Sequence, residues 1–358
     1  MEAVGRWLTA ADPPDLRWIR VADPSAATGC RNHALGLAAR LGFPAARGED
    51  LALAVTEAAT NLSKHAREGL MMLRADAAGG LIELVTLDAG PGIPDVAAAL
   101  RDGTSTAGTL GIGLGAIRRL ADFTDVYSPA GHGTVLAARF LARRPGPGAG
   151  PGPVPGVLQW AGLTRPIDGE FECGDSYLAW REGGCVTAVL CDGLGHGPLA
   201  AMASRAAMAA VREAAGREAG GGPPAALLRY AHERMGRTRG GALAVVRAGE
   251  GSVSFAGLGN IAGWIVSGTG RQGMISVPGI AGHQARRISQ FEYPLPAGAA
   301  VMLHSDGLTS RWSQRDLPGL AARDPLVIAA ALLREAGTHR DDASVLALGA
   351  GAGQGEQP

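Results

Sequence analysis

Four short contexts in the second half of the chain hold aspartates at strand-like boundaries: "CGDSY" (Asp175), "VLCDGLGHG" (Asp192), "LHSDGLTS" (Asp306) and "HRDDASVLAL" (Asp341, Asp342). The apolar runs "VTAVL" and "AAVMLH" lead into Asp192 and Asp306, and a shorter "FECG" leads into Asp175. An Asp–Gly pair at the end of a buried strand leaves a carboxylate at the rim and lets the backbone turn sharply. One such pair alone reads more readily as a hairpin turn. Several gathered by a fold are hard oxygen ligands, suited to Mg²⁺ or Mn²⁺. Two divalent cations about 3.5–4 Å apart lower the pKa of a shared water and neutralise charge on a phosphoryl group. That chemistry needs no side-chain nucleophile, and the Ser and Cys residues here form no evident triad.

The order of these motifs resembles the metal-dependent protein phosphatase (PPM) superfamily, in its bacterial SpoIIE-like branch, over roughly residues 157–349. "GLGNI" at 257–261 fits the strand pair between the second and third motifs, and "DGLGHGPLA" looks most like the stress-response, RsbX-like phosphatases of that branch. The resemblance implies that Asp192 bridges two Mn²⁺ or Mg²⁺ ions, with the Gly193 carbonyl as a further ligand. It implies that Asp306 and Asp341 complete one site and that Asp175 helps to hold the other ion. Asp342 stands where relatives carry Asn, which gives it a supporting role beside the metals. His196 either orients a water or a phosphate, or is a structural histidine in a Gly-rich turn.

A second constellation lies in the first half. "EDLALAVTEAATNLSKHAREG" (49–69) reads as a helix, with Leu51, Val55, Ala58, Ala59 and Leu62 as its apolar stripe. Glu57, Asn61 and Lys64 or His65 recur on one polar face, which by itself is also what a solvated helix face looks like. "LIELVTLDAGPGIPD" then reads as a strand (81–87) running into Asp88, Gly90 and Gly92. A polar Ser/Thr-rich stretch (104–109), the "GIGLG" turn and an amphipathic helix follow, and "GHGTVLAARF" leads into another strand.

This series resembles the GHKL ATPase fold of sensor histidine kinases and anti-sigma-factor kinases, in the RsbW/RsbT-like switch-kinase branch, over roughly residues 20–142. The resemblance implies ATP bound with Mg²⁺. Asn61 would hold the Mg²⁺ through its amide oxygen, and Glu57 would act as general base on a water or an acceptor hydroxyl. Asp88 would accept from the adenine amino group, with Gly90 and Gly92 admitting the base close to the backbone. Gly111, Gly113 and Gly115 precede a helix start that favours phosphate, and Thr134 would add a contact on the adenine side. Residues 104–109 would form a lid. Lys64 either meets a phosphate or points to solvent. His33, in "CRNHALGLAARLGF", sits in a core-packing helix, and no dimerisation helix pair precedes the ATPase motifs, so it is not read as a phosphoacceptor.

The elements that must position these residues form two modules. The 358 residues are ample for two domains, and 46% apolar composition can bury two cores. Residues 1–142 are expected to form an α/β sandwich, a mixed sheet covered on one face by helices. "RRPGPGAGPGPVPG" (143–156) is a Pro/Gly linker. Residues 157–349 are expected to form an α/β/β/α sandwich of two antiparallel sheets with the metals at one end. Helices are expected at 198–216, 223–237 and 324–337, with a last strand at 343–349. Residues 350–358 read as a disordered tail.

Lys+Arg and Asp+Glu both total 33, a balance that argues against nucleic acid or an anionic membrane as an obligate partner. No run approaches the roughly 18 apolar residues of a membrane span, and the N-terminus lacks a signal core, so the chain is expected to be cytoplasmic. Cys30, Cys173, Cys185 and Cys191 lack metal-ligand spacing and read as free thiols. Together the two resemblances imply a serine/threonine phosphatase for a phosphorylated STAS-domain or stressosome-type regulator, with an ATP-binding serine-kinase-like domain in the same circuit. An anti-sigma or sigma factor is a further candidate partner. The alternative is an N-terminal module that binds ATP and a partner without transferring phosphate and gates the phosphatase. A pseudoenzyme scaffold is a third reading, against which five intact acidic positions argue.

Overall fold

A computed structural model describes residues 8–9, 16–76, 80–101, 113–144, 157–217, 222–249 and 251–350. The chain divides into two compact units, one of Ala11–Gly152 with Asp316–Pro318, the other of Met1–Ala10 with Pro153–Arg315 and Gly319–Pro358. The two-residue strand β1 (Leu8–Thr9) belongs to the second unit, where it pairs with an edge strand described below.

The first unit contains β2 (Leu16–Arg20), α1 (Ala26–Arg40), α2 (Ala45–His65), β3 (Leu70–Asp76), β4 (Leu81–Leu87), α3 (Val96–Leu100), α4 (Leu114–Leu120), β5 (Phe123–Tyr127) and β6 (Val135–Leu141). In α2, Leu51, Val55, Ala58 and Leu62 recur at helical spacing and are buried against α1 and the sheet. The helix starts and stops about a turn earlier than its motif suggests, because Ala66 is already extended and Glu68 turns at φ 54°. Alternate strand residues, among them Met71, Leu73, Ile82, Leu84, Leu136 and Phe140, supply the other side of this core.

The sheet order is β2-β3-β4-β6-β5. Every pairing is antiparallel, which corrects the expected mixed sheet. The crossover through α3 and α4 does return β5 parallel to β4, but the β5–β6 hairpin slots β6 between them, antiparallel to both. On this sheet Arg74 donates to Glu83 at 2.8 Å and Arg139 donates to its other oxygen at 3.1 Å. Burial alone would raise the Glu83 pKa, but the two guanidinium groups hold it down at about 2.

The second unit contains β7 (Gln159–Arg165), β8 (Asp175–Glu182), β9 (Cys185–Gly193), α5 (Pro198–Arg217), α6 (Pro224–Arg234), β10 (Gly241–Gly249), β11 (Ser252–Leu258), β12 (Ala262–Ser267), β13 (Gly270–Met274), β14 (Ser276–Val277), β15 (Phe291–Pro294), β16 (Ala300–His304), α7 (Pro325–Ala336) and β17 (Ala343–Gly349). One sheet runs β1-β8-β9-β10-β11-β14, with β15 also on β11; the other runs β13-β12-β16-β17-β7. All pairings are antiparallel except β11–β14. Tyr177, Leu190, Val246, Phe255, Val301, Leu303 and Leu346 meet between the sheets. Helices α5 and α6 cover the outer face of the first sheet, and α7 packs on β7 and β17 of the second. The layers are therefore α/β/β/α. No described helix is long and apolar enough to cross a membrane.

Candidate functional site

A two-residue turn determines which acids meet. Gly183 and Gly184 have φ of +55° and +78°, the left-handed geometry that a tight hairpin requires. With Glu182 opposite Cys185, the ladder runs back to set Asp175 directly opposite Asp192. Asp306 follows the end of β16, and Asp341 and Asp342 precede β17, its neighbour in the second sheet. Ser305 and Ser344 lock these two strand ends, with the Ser344 amide donating to the Ser305 hydroxyl at 2.9 Å. The β8–β9 hairpin and the neighbouring strands β16 and β17 thus deliver carboxylates to one end of the sandwich.

Close backbone packing keeps that end rigid. A Cβ on Gly193 would stand 2.1 Å from the Ala200 carbonyl oxygen, and one on Gly307 would stand 2.0 Å from that of Asp342. Asp342 is buried, and its oxygens accept from the Ile167 amide at 2.8 Å and the Gly174 amide at 2.7 Å. It therefore faces backbone and ties the segment leading into Asp175 to the start of β17. His196 is exposed and pairs its Nδ1 with Glu170 at 3.2 Å.

Electrostatics show the carboxylates acting on one another. Asp175 is 2% exposed, and neither of its oxygens has a hydrogen-bond partner. Burial raises its pKa, as do Asp342 and Asp306; the Ser305 and Ser344 hydroxyls pull it down without closing a hydrogen bond. Asp192 is pushed up further, by burial first and then by Asp175, Asp306 and Asp341. Burial and Asp341 also raise Asp306, which shares a hydrogen bond with Asp192. Among the described residues, no group of three or more His, Cys, Asp or Glu side chains is drawn tightly enough to hold a metal ion as it stands. The donor chemistry nevertheless fits hard divalent cations: oxygen ligands only, like charges in opposition, and two orphaned buried oxygens on Asp175.

In the first unit, α2 carries Glu57 and Asn61 half-buried and Lys64 exposed. Burial raises the Glu57 pKa, and Lys64 partly offsets this. The end of α2 abuts the Asp88 turn: the Ala89 amide donates to the Arg67 carbonyl at 2.9 Å, and a Cβ on Gly90 would lie 3.1 Å from the His65 carbonyl oxygen. The Asp88 carboxylate accepts from the Gly90 amide at 2.7 Å, while the Asp88 amide donates to the Thr134 carbonyl at 3.0 Å. Gly92 turns at φ +82°. Gly133 turns at φ +69°, and a Cβ there would stand 1.9 Å from the Asp88 carbonyl oxygen. Gly113 caps α4 and Gly115 is buried within it. Gly111 and the expected lid at 104–109 lie outside the described residues, as do most of the linker and all but the first residue of the tail.

Residues 21–140 match the family described as "Histidine kinase-like ATPase domain", and residues 182–350 match "Stage II sporulation protein E (SpoIIE)". Serine/threonine-protein kinase RsbT of Bacillus subtilis (strain 168) is 36% identical over 104 residues, which cover 28% of this chain and 78% of that protein. The chain belongs to the RsbT family and carries a SpoIIE domain. The RsbT-like domain is kinase-like and of the ATPase type, and the second unit carries the SpoIIE match. A solved structure described as "The bacterial stressosome: a modular system that has been adapted to control secondary messenger signaling" is 26% identical, covering 53% of this chain and 98% of that one with a TM-score of 0.48. RsbX in complex with magnesium is 18% identical, covering 54% of this chain and 94% of that one with a TM-score of 0.44.

Two contributors escaped the motif reading. In the RsbT-like domain the Ser128 hydroxyl meets Thr134 Oγ1 at 3.0 Å and accepts from the Ile93 amide at 2.7 Å, bracing both sides of the Asp88–Gly92 loop. In the SpoIIE domain the Asn260 amide donates to Asp306 Oδ2 at 2.6 Å. Ser128 carries no local signal, whereas Asn260 sits inside the "GLGNI" segment.

Proposed function

We propose that this chain dephosphorylates phosphoserine or phosphothreonine on a STAS-domain or stressosome-type regulatory protein, and that its RsbT-like domain binds ATP with Mg²⁺ and phosphorylates a protein of the same circuit. The observation that carries the phosphatase reading is Asp175 opposite Asp192, buried, with two oxygens left unpartnered. Asp175, Asp192, Asp306, Asp341 and the Gly193 carbonyl would hold two Mn²⁺ or Mg²⁺ ions. Bound there, such ions supply Lewis acidity and a water of lowered pKa. Asp342 keeps the Asp175 segment in place through the Ile167 and Gly174 amides. Families that resemble the two halves act in opposition on a small STAS-domain protein, and this selects the substrate class; an anti-sigma or sigma factor is a further partner.

For phosphate transfer, Glu57 is the proposed base and Asn61 the Mg²⁺ ligand. The raised Glu57 pKa suits a group that must take a proton from a hydroxyl. Asp88, Gly90, Gly92 and Thr134 would seat the adenine, and Gly111, Gly113, Gly115 and Lys64 would lie towards the phosphates. The test uses γ-labelled ATP and a purified STAS protein with Asp192→Asn in the full chain to silence the phosphatase. Labelled STAS protein that disappears with Glu57→Ala, while ATP binding persists, is the expected result. No labelling, combined with an ATP-dependent change in the phosphatase rate of the wild type, would instead establish the gating switch.

A further inference from the structure

The chain passes from the first sheet of the SpoIIE domain to the second through the turn between β11 and β12, and this turn is built tightly. Gly259 adopts φ +97°, and a Cβ there would sit 2.6 Å from the Cβ of Ala242. Its amide donates to the Val277 carbonyl at 2.9 Å, and the Ser276 hydroxyl donates to the Ile261 carbonyl at 2.8 Å. Ala242 is itself the register partner of Asp192. The backbone is therefore held on both sides of Asn260, whose side chain stands on the exposed rim.

From that rim Asn260 reaches the acid that follows β16. Its Nδ2–H donates to Asp306 Oδ2 at 2.6 Å, a short bond to a charged acceptor. A carboxylate accepts only, so the amide must present its NH₂ group there. Asp306 is exposed and makes its other close contact with Asp192. Asp306 lies among like charges, Asp192 and Asp341, and a neutral donor holds one of its oxygens without adding charge to the cluster. A carbonyl or amide partner of this kind behind a ligating group typically changes metal affinity by about 10–100-fold.

We propose that Asn260 is a positioning residue for Asp306: its amide holds one carboxylate oxygen so that the other is presented to a divalent cation shared with Asp192. The proposal rests on the metal-phosphatase reading. The alternative role for Asn260 is to stabilise the turn alone.

Mn²⁺ binding to the full chain, followed by the electron paramagnetic resonance signal of free Mn²⁺, separates these roles. Asn260→Ala and Asn260→Leu both remove the donor, one leaving space and one filling it. Each should weaken one Mn²⁺ site by about 10–100-fold. The metal-free melting temperature should stay near that of the wild type, and kcat should recover at saturating Mn²⁺. Mn²⁺ affinity equal to wild type in either variant overturns the proposal. So does an affinity loss that tracks a fall in metal-free melting temperature, since that is the signature of a collapsed turn. A wild-type chain that binds no Mn²⁺ overturns the metal-phosphatase reading itself, and this proposal with it.

Discussion

Asp175 stands directly opposite Asp192 in the antiparallel pair of β8 and β9, so a buried carboxylate and a half-buried one meet across one rung of the ladder. Neighbouring acids on adjacent strands destabilise a sheet, and here burial adds a desolvation cost. Such an arrangement costs stability and signals a site selected for its chemistry.

This relationship gives a pH dependence with a definite sign. The Asp175 pKa is raised from 3.8 to about 7, so the native state holds this proton more tightly than the unfolded chain does. The contribution is complete below pH 3.8 and is lost as the pH rises towards about 7. Metal-free protein should therefore melt at lower temperature at pH 8 than at pH 5.5. Asp175→Asn should flatten that slope and stabilise the metal-free protein at pH 8 by about 1–3 kcal/mol, while lowering phosphatase activity. Scanning calorimetry of both proteins at the two pH values in EDTA checks this; an unchanged slope would contradict it.

Asp342 should behave in the opposite way. Its carboxylate satisfies the Ile167 and Gly174 amides, and removing it leaves both donors without a partner in a buried place. Asp342→Ala should cost about 2–5 kcal/mol, and Asp342→Asn less, because one acceptor survives. Urea denaturation should show the midpoint falling in that order. An Ala variant as stable as wild type would mean that these amides find other partners.

In the RsbT-like domain, Gly133 and Asp88 are coupled through the backbone. With φ +69° and the Asp88 carbonyl 1.9 Å from where a Cβ would be, Gly133→Ala must move the loop that carries Asp88. ATP affinity should fall at least tenfold, and Asp88→Asn should weaken binding by about 1.5–3 kcal/mol through loss of a charged acceptor. Titration calorimetry with ATP and Mg²⁺ on the full chain measures both. Unchanged affinity in Gly133→Ala would remove this loop from the adenine site.

Much of this architecture is legible in the residues. The apolar spacing of Leu51, Val55, Ala58 and Leu62 places α2, and the Asp–Gly contexts of Asp192 and Asp306 place those acids at or just past strand ends. What escapes a linear reading is contact between distant segments. The Asp342 side chain is identical in type to Asp341, and only the fold turns it towards the Ile167 and Gly174 amides. Asn260 and Asp306 are 46 positions apart, and no local pattern pairs them. The antiparallel sheet of the first unit depends on β6 inserting between β4 and β5, a choice of neighbour that strand periodicity does not encode.

The most direct test of the account is phosphate release from a phosphoserine STAS protein by the full chain, with and without Asp192→Asn. Asp192 is the acid on which Asp175, Asp306 and Asp341 all act, and it is among the residues that would hold the two cations. Wild-type protein should release phosphate with Mn²⁺ or Mg²⁺ and stop when EDTA is added. Asp192→Asn should slow the reaction by about 10³-fold or more, equivalent to at least about 4 kcal/mol of transition-state stabilisation. Metal-independent release, or full activity in Asp192→Asn, would contradict the assignment of the catalytic centre to this carboxylate cluster.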